Sequence, residues 1–368
     1  LDTANVLVSD VIYACGETSE TTSCIATGGI SNSPNTGFVF VDKTLASDSY
    51  DAELEYNSAY FMVDQTWDTT WQLVTGARYE DYKQTTNTFS LQGEGGAVQS
   101  VIDESNLLPS VGVNWFYSEE QQLRLALSQT VARPDFKEAA NATFYDNEFN
   151  IRVRGNPFLK VSTIINADLR WEWYFNDQDS LSVAAFYKEM DKPIERVVQP
   201  ASGTAGNTRT FQNSEKAELY GIEVEGRKEF VLSDDYSQTV FVSFNAALIE
   251  SEVIAGNQAT RALQGQPEYT ANLVIGYDNI DGGHQLTLLL NQNGISIADV
   301  GVSGAPDVYL EPRMDVNLVY RYAISDSATI KAKVENILNT AVQYTQGGET
   351  FQKYQKGTTF QVGIDWEL

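Results

Sequence analysis

Apolar residues occupy every second position along much of this chain, and polar or charged residues fill the positions between. On an extended strand successive side chains point to opposite sides, so such a pattern makes a ribbon with one apolar and one polar face. Residues 165–175 set Ile165, Ala167, Leu169, Trp171, Trp173 and Phe175 against Asn166, Asp168, Arg170, Glu172 and Tyr174. Residues 220–227 set Tyr220, Ile222 and Val224 against Glu223, Glu225 and Arg227. The division recurs as Met314, Val316, Leu318 and Tyr320 against Asp315, Asn317 and Arg321, and as Ile330, Ala332 and Val334 against Lys331, Lys333 and Glu335. It closes the chain, with Phe360, Val362, Ile364, Trp366 and Leu368 against Thr359, Gln361, Gly363, Asp365 and Glu367. Taken alone, that last stretch also fits a half-buried strand of a soluble sandwich.

The pattern predicts about thirteen strands, near residues 50–64, 71–82, 107–117, 122–132, 165–175, 180–190, 211–230, 237–249, 269–278, 284–294, 312–322, 329–339 and 358–368. Short turns (65–69, 118–121, 176–179, 233–235, 279–283, 325–327) alternate with long connections (83–106, 133–160, 299–310, 340–356 among them). Transmembrane barrels have this asymmetry, with short periplasmic turns and long outward loops. The expected fold is therefore all-β, a transmembrane antiparallel β-barrel occupying residues 49–368. Residues 1–48 are rich in Ser, Thr, Asn, Asp and Gly and lack a sustained period. They read as an extracellular loop region with one short strand near 6–13. Bacterial barrels have an even number of strands, so an odd count points to strands before Leu1.

Composition narrows the function. The 24 Lys and Arg face 50 Asp and Glu, a formal net charge of -26, and a chain so acidic lacks the cations that phosphate neutralisation needs, so nucleic acid is not a partner. No apolar run approaches the length of a membrane-spanning helix, which leaves a barrel open because its strands hide their apolar residues in alternation. Aromatics make up 11% of residues, and Tyr and Trp near strand ends match interfacial girdles. The sequence begins at Leu1 without a signal peptide, as in a processed or partial chain. Cys15 and Cys24, 24 − 15 = 9 positions apart, have no neighbouring Cys or His to complete a zinc site. They suit a loop disulfide in an oxidising compartment, the alternative being two free thiols.

No catalytic constellation, metal site or cofactor motif emerges. The only histidine, His284, reads as a solvated turn residue in DGGH. Glu223 and Glu225 share a strand face roughly 7 Å apart and read as charged lumen lining rather than a glycosidase pair. Residues 176–179 (NDQD) lack the Gly and Glu of a calcium loop and read as a plain turn. The GEGG at 93–96 precedes no helix and reads as a loop tip. Gly221 and Gly363 read as relief of crowding inside the barrel. The loops are the better place for ligand contacts. Phe136, Phe144, Tyr145, Phe149, Arg152 and Arg154 cluster in one, and Tyr344, Phe351 and Tyr354 in another. Aromatic and Arg side chains give strong contacts where they bind, the alternative being loop-on-loop packing.

Several stretches resemble the TonB-dependent receptors of the Gram-negative outer membrane. They are SQTVARPDFKE (128–138), GNPFLKVSTIINADLRWEWYF (155–175), FQNSEKAELYGIEVEGRKEF (211–230), LQGQPEYTANLVIGYD (263–278), VENILN (334–339) and the last strand. In the second, Phe158 and Val161 stand where the family more often has Asp and Pro. The last strand also resembles the C-terminal signature read by the barrel-assembly machinery, with Leu368 in place of the usual Phe or Trp. The resemblance implies a barrel of about 22 strands, plugged by an N-terminal domain, of which roughly nine strands and the plug precede Leu1. It implies an energy-coupled receptor in the outer membrane, in contact with lipid and lipopolysaccharide. A TonB-type energy transducer would act through a segment before Leu1. The cargo would be a large, scarce ligand such as an iron chelate, cobalamin or an oligosaccharide. A passive porin, or a barrel serving as adhesin or docking site, is the alternative.

Overall fold

The computed structural model describes residues 11–14, 38–41, 49–88, 98–149, 151–200, 207–256 and 260–366. Cys15 and Cys24, the GEGG tip and Leu368 lie outside these residues. The elements run β1 (Val11–Ala14), β2 (Phe38–Val41), β3 (Tyr50–Trp67), β4 (Trp71–Thr88), β5 (Val98–Phe116), β6 (Gln121–Ala132), α1 (Phe136–Ala139), β7 (Thr143–Asp146), β8 (Ile151–Arg154), β9 (Ser162–Tyr174), β10 (Ser180–Asp191), β11 (Ile194–Gln199) and β12 (Thr208–Asn213). They continue with β13 (Lys216–Val231), β14 (Gln238–Ile254), β15 (Tyr269–Asn279), β16 (His284–Asn293), β17 (Ser296–Gly301), β18 (Val308–Leu310), β19 (Arg313–Ser325), β20 (Ala328–Glu335), β21 (Val342–Gln346), β22 (Glu349–Tyr354) and β23 (Thr359–Trp366). Among the described residues no helix is long and apolar enough to cross a membrane.

Thirteen strands make one antiparallel sheet, in the order β23-β20-β19-β16-β15-β14-β13-β10-β9-β6-β5-β4-β3. Every neighbour in it is the next or previous wall strand along the chain, so the sheet is an up-and-down wall. Its register keeps the two faces intact from strand to strand. Leu169 faces Leu125 on one side and Ala185 on the other, and Leu318 lies between Leu288 and Val334. The apolar face stays open, with Ile165, Leu169, Tyr220 and Ile222 among its exposed residues. A hydrocarbon layer is the medium such a surface matches, and a tilted strand of 9–11 residues crosses it. Strands of 16 to 19 residues, such as β3, β4, β5, β13 and β14, therefore project beyond it.

An aromatic belt marks one boundary of that layer, next to the short turns. Trp71 stacks on Trp115 at 5.2 Å, Trp115 meets Tyr117, and the Trp171 indole N–H donates to the Tyr117 hydroxyl at 2.7 Å. Trp171, Trp173 and Phe175 continue the series. The opposite face is wired by polar side chains. Glu172 is buried between Arg124 and Arg170, and Arg170 reaches on to Glu225 at 2.7 Å. Asn272 bridges Asn245 and Asn291 across three strands. Glu80 receives Arg78, Arg133 and the Tyr56 hydroxyl.

The wall departs from the sequence reading at the upper ends of β4 and β5. Residues 83–88 and 98–106, expected as part of a loop, continue the ladder. Their polar side chains hid them, since Gln84, Thr86, Thr88 and Ser100 are buried although a buried face is usually apolar. The segment before β9 covers this face, and Val161 packs there on Tyr82 and Ile102. Two smaller corrections concern turns. The 336–339 end of VENILN leaves the strand, with Asn336 and Asn339 at positive φ. His284 is no free turn residue. It starts β16, shares a hydrogen bond with the Tyr320 hydroxyl at 2.8 Å and stacks on Tyr322. The two predicted spacer glycines also differ. A Cβ on Gly221 would strike Phe186 and the Leu248 carbonyl, whereas one on Gly363 meets nothing within 4 Å.

Among the described residues, four of the long connections are not irregular. They carry a second sheet of eight strands, ordered β22-β21-β18-β17-β11-β12-β8-β7, which follows the wall strands below it and skips the β14–β15 connection. Two of its seams are parallel, β11 on β17 and β12 on β8, and each is two residue pairs long. With neighbouring strands about 4.8 Å apart, eight strands span roughly 40 Å where the thirteen below span roughly 60 Å. The loops thus draw together into a collar narrower than the wall. Val197, Ile297, Val300 and Val302 form its buried apolar core.

Candidate functional site at the mouth

The stretches singled out by motif become clips that hang the collar on the wall. Asp135 caps α1 through a capping box, accepting from the Lys137 N–H at 2.9 Å while Glu138 accepts from the Asp135 N–H at 3.0 Å. Gly155 lies on the carbonyls of this turn, and a Cβ there would collide with the Ala140, Lys137 and Glu138 oxygens. The next residue, Asn156, donates to the Phe211 carbonyl at 2.8 Å. Asn213 accepts from the Lys160 N–H and donates to the Lys160 and Lys192 carbonyls. Three motifs far apart in the chain thereby fold as one unit. A fourth closes the parallel seam, where the Gln264 amide donates to the Arg196 and Ala298 carbonyls at 2.9 and 2.7 Å and accepts from the Arg196 N–H. At the end of the chain, Asn336 and Asn339 bind the backbone of Gly357 ahead of β23.

Charged side chains are buried at the centre of the collar. Glu195, 1% exposed, accepts both Arg261 nitrogens at 2.7 and 2.6 Å and the Ser214 hydroxyl. Arg209, 2% exposed, is held between Asp299 and Asp146. Arg196 also pairs with Asp299 but keeps 40% of its side chain exposed. Two adjoining cavities of about 540 and 600 Å³ open here and share Glu138, Arg196 and Phe211. Burial, opposed by the N–H of Asp135, raises the Glu138 carboxyl above its usual range.

Both predicted aromatic loops reach this place. Phe149 and Tyr344 meet edge-to-face at 4.8 Å, and Arg209 lies over the Phe149 ring at 4.4 Å. The Tyr354 hydroxyl donates to Glu148 at 2.5 Å and the Gln352 amide to the Glu148 carbonyl at 2.6 Å. The carboxylate partner, with burial behind it, pushes the Tyr354 hydroxyl up to about 12. Phe144 and Tyr145 line the larger of the two cavities, and Phe149 and Tyr344 the smaller. Phe144 also packs on Tyr50 and under the Lys137 ammonium. Phe136 begins α1 and Phe351 lies exposed on β22. Arg152 and Arg154 fall elsewhere, on the opposite face of β8 from Val153. Sequence reasoning missed Arg196 and Arg209, and it placed Phe211 in a wall strand and a family-like stretch rather than at these cavities. For the two arginines only their position in long connections could have drawn attention, because nothing in a linear sequence foretells a parallel seam between loops.

Among the described residues no group of His, Cys, Asp and Glu side chains is placed to hold a metal ion. An apolar outer face, a polar inner face, an aromatic belt and a collar of loops at one end define a bacterial outer-membrane barrel with a receptor-like mouth. The chain belongs to the family described as TonB dependent receptor-like, beta-barrel, which it matches over residues 20–337. That is a family of receptors and transporters in the outer membrane, not of enzymes. The chain is 28% identical over 220 residues to the iron-regulated outer membrane virulence protein of Vibrio cholerae serotype O1, covering 58% of this chain and 32% of that protein. Among solved structures it resembles the siderophore receptor PiuA from Acinetobacter baumannii, with a TM-score of 0.61 at 12% identity over 90% of this chain and 44% of that one. It also resembles the ferric-catecholate import receptor Fiu from E. coli K12, with a TM-score of 0.62 at 13% identity over 86% and 45% of the two chains. At these identities the likeness is one of fold. The chain spans about a third of the curated relative and under half of these two solved receptors.

Proposed function

We propose that this chain forms the wall and mouth of an energy-coupled receptor that imports an iron chelate across the outer membrane. The observation that carries the reading is the convergence of two loops, far apart in the chain, on the joined cavities around Arg196, through the Phe149–Tyr344 and Tyr354–Glu148 contacts. A large ligand held there would touch both loops at once. Iron as the cargo is supported by the names of the V. cholerae relative and of the structural neighbours. Energy coupling is expected through a plug and a TonB-binding segment preceding Leu1. Neither a resident cofactor nor covalent chemistry enters the reading.

The test uses cells carrying the full-length receptor and a labelled ferric chelate. Surface binding should persist after an uncoupler collapses the membrane potential, while uptake stops. Undiminished uptake would favour a passive porin, and binding without uptake in energised cells would favour a docking surface.

A further inference from the structure

A third cavity, of about 640 Å³, lies on the other side of Phe211. Its lining differs in charge from its two neighbours. They carry Asp135, Glu138, Asp146 or Glu148, whereas among the described residues this one is lined by no carboxylate and by one cation, Arg154. In a chain of net charge -26, a described lining without a carboxylate is a local inversion.

Arg154 makes no ion pair among the described residues. Its Nε and Nη2 both donate to the Asn141 side-chain oxygen, at 3.0 and 2.7 Å. That amide is neutral, so the guanidinium is oriented without being neutralised. Arginine has five N–H donors, and two are used here. Beside it stands Phe158, 83% exposed, the most exposed large apolar side chain among the described residues. Phe158 is not a loose tip. Its N–H donates to the Asn156 side-chain oxygen at 3.0 Å, Pro157 precedes it, and Gly155 is packed on the carbonyls of the α1 turn. An aromatic ring held out in water from a fixed backbone, beside an unneutralised guanidinium, is a pair of unmet demands. One is met by a flat apolar group and the other by an anion. Thr208, Thr210 and Gln212 add uncharged polar side chains to the same wall.

We infer that this cavity is a separate binding site for an aromatic acid, with the carboxylate on Arg154 and the ring against Phe158. The aryl acid could belong to the imported ligand or be a free small acid. The chemistry is the same, and a competition arm separates the two. The site does not depend on the cargo being an iron chelate.

The probe is 2-naphthoate, measured by equilibrium binding to the full-length receptor in detergent micelles, with 2-naphthamide and cyclohexanecarboxylate as controls lacking the charge or the ring. Naphthoate should bind at least about tenfold more tightly than either control, a difference of about 1.4 kcal/mol. Arg154→Gln and Phe158→Ala should each weaken it by a similar factor. Arg154→Lys and Phe158→Tyr should restore part of the loss, which a merely misfolded mouth would not allow. Equal binding of naphthoate and naphthamide overturns the inference, and so does naphthoate binding unchanged by Arg154→Gln. Naphthoate that competes with ferric-chelate uptake places the aryl acid within the cargo, and binding without competition assigns the site to a free acid. Loss of chelate uptake with naphthoate binding intact would refute the import function alone.

Discussion

Gly276 faces a ring. A Cβ at that position would collide with Phe241, and Arg227 lies over the other side of the same ring at 4.3 Å. Gly276→Ala should destabilise the barrel by about 1–3 kcal/mol through overpacking. Adding Phe241→Ala should recover part of that loss, and Gly363→Ala, which meets nothing, should be close to neutral. Denaturant unfolding of the four proteins in micelles checks this. Asp179 shows what a single turn carboxylate can do. Lys228 and the Glu229 N–H, joined by Asn176, tie it to the neighbouring hairpin and hold it at about 2 against a usual 3.8. Its stabilising effect is complete above about pH 4 and falls away as pH drops toward 2. Unfolding midpoints of the wild type should decline more steeply over that interval than those of Asp179→Asn, and parallel curves would remove the assignment.

Among the elements, wall and collar were unequally legible. Each wall strand buries or exposes a whole face, so its period of two is written in the side chains. All thirteen were found, down to the alternation of Leu169 with Arg170 and of Leu318 with Asn317. The collar strands are three to six residues long, too short for a period to register. Their order depends on contacts between loops, such as Gln264 with Arg196, that no local rule encodes. The aromatic candidates Phe149 and Tyr344 were visible as residue types, but the contact between them was not. The collar should be sensitive to its buried pairs. Removing Arg261 leaves Glu195 buried with the Ser214 hydroxyl and the Gln264 N–H as its remaining partners, and Arg261→Ala is expected to cost about 3–5 kcal/mol locally. Hydrogen exchange should show β11 and β12 losing protection while β13 and β14 keep theirs.

At the scale of the whole molecule, the two faces of the wall make opposite demands. Leu318→Arg puts a charge into the hydrocarbon and should cost about 2–4 kcal/mol near mid-membrane. Asp315→Asn on the inner face forfeits one contact with Arg313 and should cost about 0–1 kcal/mol. Equal costs in a vesicle-folding titration would count against the assignment of faces. The inner face owes its cohesion to polar side chains that bridge strands, as Asn245, Asn272 and Asn291 do. Such groups exchange one hydrogen-bonding partner for another, water included, at little net change in free energy, whereas parting two apolar surfaces exposes area at about 25 cal/mol per Å². A body seated against this wall could therefore shift along it in small steps, each broken contact replaced by a wet one. The barrel interior would act as a water-lubricated bearing, and the force needed to move its contents would be set by friction rather than by adhesion.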